Sequence, residues 1–131
     1  MTTKYLIASH GRLAEGLQSS VDILAGMAER IQVINAYVDD RDYVPEITAF
    51  LTELAPEDQA VIFTDMLGGS VNQKVFQEII QQDKQQQAFI VTNANLPVVM
   101  GVLLSDQVWD GEALNAVIAE SAIKLIDLTQ M

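Results

Sequence analysis

Tyr5-Leu6-Ile7-Ala8-Ser9-His10-Gly11-Arg12 is an apolar run, too short for a helix, that stops at the only histidine in the chain. A run uninterrupted by polar residues predicts a strand buried on both faces of a sheet, since neither side of it meets water. Beyond it, Leu13, Leu17, Val21, Leu24 and Ala28 recur every three or four residues. That spacing predicts the inward face of a helix, weakening at Gly26. The first unit is therefore strand, sharp turn, helix.

The same unit repeats along the chain. Ile31 to Val38 predicts a second strand, followed by the polar turn Asp39-Asp40-Arg41-Asp42. Pro45 suits the first turn of the next helix, with Val44, Ile47, Phe50, Leu51 and Leu54 on one side, and Pro56 closes it. Ala60-Val61-Ile62-Phe63-Thr64-Asp65 is a third buried run, ending on a carboxylate. Met66-Leu67-Gly68-Gly69-Ser70 is its turn, and Val71, Val75, Phe76, Ile79 and Ile80 mark the helix after it. The polar stretch Gln81 to Gln87 reads as a solvated connection. Ala88 to Thr92 predicts the fourth strand and Asn93-Ala94-Asn95-Leu96-Pro97 its turn. Val98 to Leu104 is apolar nearly all round, as in a helix covered on several sides or packed against another subunit. A loop through Asp106, Trp109 and Gly111 leads to a helix with Ala113, Leu114, Val117 and Ile118, and Ile123 to Leu128 reads as a terminal strand.

Buried strands alternating with amphipathic helices predict an α/β fold: a doubly wound, mostly parallel sheet with helices on both faces and right-handed crossovers. With 131 residues, half of them hydrophobic, the chain fits a single domain over residues 1–131.

Composition narrows the function. Seven basic against eighteen acidic residues give a net charge of −11, which repels phosphate backbones and anionic lipid, so nucleic acid is not an expected partner. The absence of cysteine excludes disulfides, thiol nucleophiles and thiolate metal sites. The N-terminus lacks signal-peptide features, and no stretch approaches the ~18 apolar residues of a membrane span. A cytoplasmic location is expected.

In open sheets of this kind ligands bind outside the carboxyl ends of the strands, where strand order reverses. If the order is 2-1-3-4, His10 and Asp65 face one another there. A carboxylate beside an imidazole accepts one ring N–H, fixes the tautomer and leaves the other nitrogen as a nucleophile. Both turns also open helices, whose first N–H groups attract anions. Gly11, Gly68 and Gly69 allow close backbone approach, and Ser70 adds a hydroxyl that caps the helix or donates to a phosphate. Arg12 is a further candidate for the crevice, although an arginine in the first turn of a surface helix is more often solvated. Asn93 and Asn95 either line the crevice or satisfy the backbone of their turn. Trp109 is an interface anchor or a satellite core under a loop, and Asp39, Asp40 and Asp42 are a solvated acidic turn. No metal or organic cofactor is expected.

The segments Ile7-Ala8-Ser9-His10-Gly11, Phe63-Thr64-Asp65-Met66-Leu67-Gly68-Gly69-Ser70 and Thr92-Asn93-Ala94-Asn95-Leu96-Pro97 resemble the IIA component of the mannose family of the bacterial phosphoenolpyruvate-dependent sugar phosphotransferase system. The resemblance covers essentially the whole chain. It implies that His10 is phosphorylated and that Asp65 hydrogen-bonds to it. It also implies receipt of the phosphoryl group from HPr, delivery to a IIB component, and indirect service to membrane IIC and IID components. A homodimer that exchanges the C-terminal strand, here Ile123 to Leu128, as an antiparallel edge strand is implied as well. Leu67 and Val71 stand where some members have an aromatic residue and a proline. The rival readings are a response-regulator-like receiver phosphorylated on Asp65, the phosphotransfer subunit of a dihydroxyacetone kinase, and a nucleotide- or flavin-binding module. Ser9-His10-Gly11 stands where a receiver needs acidic metal ligands, Gly68-Gly69-Ser70 points away from the kinase subunit, and the nucleotide module lacks its glycine fingerprint.

Overall fold

Alternate residues of the apolar runs face opposite sides of one sheet, and two separate cores follow from that alternation. The computed structural model describes residues 2–130. Its strands are β1 (Thr3–His10), β2 (Ile31–Ala36), β3 (Gln59–Thr64) and β4 (Ala88–Val91). They pair in parallel in the order β2-β1-β3-β4, as the sequence predicts. The helices are α1 (Leu13–Ala25), α2 (Val44–Thr52), α3 (Ser70–Gln81), α4 (Leu96–Ser105) and α5 (Gly111–Glu120). Tyr5, Ile7, Val61 and Phe63 join Val21 of α1, Val99 and Leu103 of α4 and Leu114 of α5 on one face. Leu6, Ala8, Ala60 and Ile62 join Ile47 and Leu51 of α2 and Val71, Val75 and Ile79 of α3 on the other.

Local chemistry sets the ends. Gly26 takes a left-handed φ of +63° and closes α1 with its N–H on the Asp22 carbonyl. Ala28, expected on the α1 face, therefore falls in a 3-10 turn over Ala28–Arg30. The stripe α1 buries is Ala14 and Val21, with Leu17 packed beside them, while Leu13 and Leu24 lie on its exposed flank. In α3 the buried stripe is Val71, Val75 and Ile79, one residue per turn, which leaves Phe76 and Ile80 exposed. Pro45 lies in the first turn of α2. The Asn95 side chain caps α4, accepting from the Val98 N–H at 2.9 Å, and Asp110 caps α5 by accepting from Ala113.

Most of the apolar surface of α4 is covered within the chain, and Leu104 in its last turn is exposed. Val98, Val99, Val102 and Leu103 are buried, and a Cβ added to Gly101 would come within 2.7 Å of Val117 in α5. Trp109 belongs to the core on that face, and its backbone N–H and carbonyl are both held by the Gln59 side chain, at 2.8 and 2.7 Å.

The C-terminal segment forms no strand among the described residues. Positions 122–127 have no regular structure and Leu128–Gln130 form a 3-10 turn. Ile123 is 94% and Leu125 88% exposed. A strand needs a neighbour for its N–H and C=O groups, and this segment pairs with none among the described residues.

Candidate active site at the switch between β1 and β3

The register brings the two chemical residues to one point. Ala8 pairs with Thr64 across β1 and β3, so Asp65 arrives beside Ser9 and His10. Strand order runs away from this point in both directions, which opens the crevice. His10 and Asp65 meet there: the His10 ring Nδ1 and the backbone N of His10 each lie 2.9 Å from Asp65 Oδ2. A carboxylate oxygen only accepts, so both nitrogens donate and Nδ1 carries the proton. Asp65 is 12% exposed and His10 40%. Oδ1 of Asp65 is buried without a partner among the described residues, which leaves His10 as the carboxylate's hydrogen-bonding counterpart. Positive charge developing on the ring is therefore met by a nearly buried anion.

With Nδ1 protonated, Nε2 holds the lone pair. Ser70 Oγ lies 3.2 Å from it. Ser70 is the first residue of α3, and Gly69 is the capping position with no side-chain cap bond. The hydroxyl thus turns to the imidazole instead of capping its own helix. The first helical bond of α3 joins the Gln73 N–H to the Gly69 carbonyl, so the N–H groups of Ser70, Val71 and Asn72 form the positive end of the helix beside Nε2. That end is built to receive an anion.

The glycines divide the work. Gly69 lies against the histidine: a Cβ there would stand 3.3 Å from His10 Cε1 and 3.2 Å from the Met66 carbonyl. Gly68 takes φ +76°, which an L side chain resists. Gly11 also needs a positive φ, +61°, but its N–H donates to the Ala36 carbonyl at 2.7 Å. Gly11 therefore shapes the turn and ties β1 to β2, with its amide engaged.

The remaining candidates separate. The Arg12 side chain is exposed and pairs with Glu15 at 3.2 Å, and it makes no hydrogen bond or ion pair with His10, Asp65 or Ser70. Asn93 accepts from the Leu67 N–H at 2.8 Å and ties the β4 turn to the glycine loop. Asn95, besides capping α4, donates to the Ser121 carbonyl at 2.7 Å. Both asparagines hold turns together.

Residues to which the sequence assigned no site role complete the site. Ser9 is fully buried and accepts from the Ala14 N–H at 2.8 Å, which satisfies one of the first amides of α1. Asn72 donates to Thr64 Oγ1 at 3.0 Å and fixes the start of α3 on β3. Tyr37 lies over the imidazole, with ring centroids 5.5 Å apart and planes at 18°, and its hydroxyl is 2.9 Å from Ser70 Oγ. Burial above all pushes the Tyr43 phenol up, keeping it protonated. The sequence signal for Tyr37 was its place next after β2, whose carboxyl end lies beside that of β1.

A family model described as the PTS system fructose IIA component matches residues 4–121. Among solved structures, a phosphoenolpyruvate-dependent sugar phosphotransferase system permease, so described, from Klebsiella pneumoniae is 26% identical, with a TM-score of 0.81 over 100% of this chain and 96% of that one. The PTS IIA protein associated with the fucose utilization operon of Streptococcus pneumoniae shares the fold at 22% identity, with a TM-score of 0.75 over 99% of this chain and 96% of that one. The mannose/sorbose specific IIA subunit of Enterococcus faecalis does so at 20% identity, with a TM-score of 0.75 over 97% of this chain and 96% of that one. A match that runs from β1 to the end of α5 takes in every strand and helix that builds the crevice, and the chain belongs to the EIIA-man family of sugar phosphotransferase system IIA components.

Proposed function

We propose that the protein is a phosphocarrier in which His10 Nε2 accepts a phosphoryl group from the phosphohistidine of HPr and passes it to a IIB component. The observation that carries this reading is the 2.9 Å contact of Asp65 with Nδ1. It leaves Nε2 unprotonated beside the N-terminus of α3. In transfer, the Nε2 lone pair forms the new P–N bond as the P–N bond of the donor breaks, and the donor imidazole leaves with that electron pair. Positive charge builds on the His10 ring, next to the Asp65 carboxylate. The amides at the start of α3 receive the phosphoryl oxygens. No cofactor enters, because the group is already activated on its donor.

A protein donor fits the surroundings. Leu13, Met66, Leu67 and Tyr37, all on segments that bear the site, are exposed, an apolar rim suited to a transient protein contact. Among the described residues no helix is long and apolar enough to cross a membrane. We place the protein in the cytoplasm as a single domain, serving membrane IIC and IID components through IIB. It acts as a homodimer in which Ile123 to Leu128 pairs with the partner's sheet.

Incubation with radiolabelled phosphoenolpyruvate, enzyme I and HPr tests the phosphocarrier. The expected label survives base, is lost in acid and is absent from His10→Ala. A base-labile, hydroxylamine-sensitive label on Asp65 would overturn this reading.

A further inference from the structure

Tyr37 takes a left-handed φ of +67°, a region that disfavours an aromatic side chain. Burial does not hold it there, for the residue is 58% exposed. What the conformation achieves is contact with the site. The ring stacks on His10, and the hydroxyl lies 2.9 Å from Ser70 Oγ and 3.5 Å from the Tyr43 hydroxyl. Because Nε2 only accepts, the Ser70 hydroxyl donates to it, and the Ser70 oxygen is then the acceptor for the Tyr37 O–H. The proton order along the chain of groups is fixed from the Asp65 end.

We propose that Tyr37 is a positioning residue for phosphoryl transfer at His10, acting through its hydroxyl on Ser70 and through its ring on the imidazole. This rests on the phosphocarrier reading. Before transfer, Tyr37 holds the Ser70 O–H on Nε2 and so keeps the lone pair directed at the mouth of the crevice. When the P–N bond forms, the lone pair is consumed and the Ser70 O–H is released to a phosphoryl oxygen, with the Ser70 oxygen still held by Tyr37. The stacked ring closes one face of the imidazole, which confines the donor to an approach in the ring plane. Its π-face also lies within range to favour the positive charge that builds there.

The test uses two variants of the full chain and three readouts. Tyr37→Phe removes the hydroxyl and keeps the ring; Tyr37→Gly removes both and suits the left-handed backbone. The readouts are imidazole 15N shifts in the unphosphorylated protein, single-turnover transfer from phospho-HPr, and urea stability. His10 is the only histidine, so its nitrogen resonances are unambiguous. Tyr37→Phe is expected to shift the Nε2 resonance and slow transfer roughly three- to tenfold, the effect of one hydrogen bond, with unchanged urea stability. Tyr37→Gly is expected to be no less stable than wild type and to slow transfer further. Unchanged Nε2 shift and rate in Tyr37→Phe overturn the proposal. So does a loss of stability that parallels the loss of rate in both variants. If the wild-type protein takes no label on His10, the phosphocarrier reading fails, whereas the 15N shifts still report whether Tyr37 acts on His10 through Ser70.

Discussion

Asp65 Oδ2 accepts two hydrogen bonds from one residue, the backbone N–H and the ring Nδ1–H of His10, each at 2.9 Å. One carboxylate oxygen thus fixes both the end of β1 and the tautomer of its last side chain. The two functions come apart on substitution. Asp65→Ala strands a backbone N–H and is expected to cost about 1–3 kcal/mol of stability. Asp65→Asn keeps an acceptor for that amide and should stay within about 1 kcal/mol of wild type. Both variants lose the anion that stabilises the charged ring, and both should slow transfer from phospho-HPr about a hundredfold. Urea titration and single-turnover transfer check the two halves, and unchanged transfer in Asp65→Asn would refute the orienting role.

Adjacent glycines give opposite expectations. Gly69 has an ordinary φ of −68°, so Gly69→Ala costs little in backbone conformation, but its methyl presses on His10 Cε1. Transfer should fall about tenfold from ring displacement, with stability nearly unchanged. Gly68→Ala meets open space at φ +76° and should lose about 1–2 kcal/mol from the left-handed backbone while transfer per folded molecule stays near wild type. Thermal melts and single-turnover rates on both variants decide the matter; equal losses of rate would contradict the assignment of Gly69 to the ring.

Far from the site, Asp106 joins β1 to the Ala28–Arg30 turn. Arg30 first, then Tyr5, hold its carboxyl below the ordinary value of 3.8. A depressed carboxylate contributes stability above its unfolded pKa and loses it as pH falls through the lower, folded value. Wild type should therefore exceed Asp106→Asn in stability at pH 7, by under about 1 kcal/mol because the Arg30 and Asp106 side chains are both solvent-exposed. The gap should close on acidification below about pH 3.8. Chemical melts of both proteins from pH 7 to pH 2.5 measure it, and a gap that persists at the acid end would show that the ionised carboxylate is not the cause.

The sheet was legible because burial on two faces writes itself into the chain: Leu6 and Ala8 serve one core while Tyr5 and Ile7 serve the other, and no polar residue intervenes. The meeting of His10 and Asp65 followed from strand order alone. What escaped were contacts between strand ends far apart in sequence. Tyr37, read as part of an unbroken strand to Val38, lies beyond β2 in a left-handed turn, and only the third dimension shows it over His10. Ser9 looked like part of the turn, but a buried hydroxyl five residues before Ala14 acts as a cap. The Gly11 amide looked free to bind an anion until β2 supplied the Ala36 carbonyl. Periodicity also mistook the flanks of helices for their faces at Leu13 and Phe76, since a spacing of three or four fits two neighbouring stripes.

The C-terminal segment carries the last prediction. β4 closes the sheet on one side and, among the described residues, pairs only with β3, an edge open to a further strand beyond Ala88, whose N–H is held by the Lys84 carbonyl. Beside it, Val91, Thr92, Val98, Ile118 and Ile123 line a cleft of about 270 Å³. Ile123, Leu125, Ile126 and Leu128 meanwhile stand in solvent, an apolar load that a lone chain does not cover. Exchange of this segment between two copies would answer both deficits. Sedimentation equilibrium of the wild-type protein should give a dimer, and Leu125→Asp with Ile126→Asp should shift it to monomer. Far-UV circular dichroism should stay near wild type, because those side chains are exposed within their own chain. A wild type that sediments as a monomer at micromolar concentration would defeat the exchange, as would a double variant that remains dimeric.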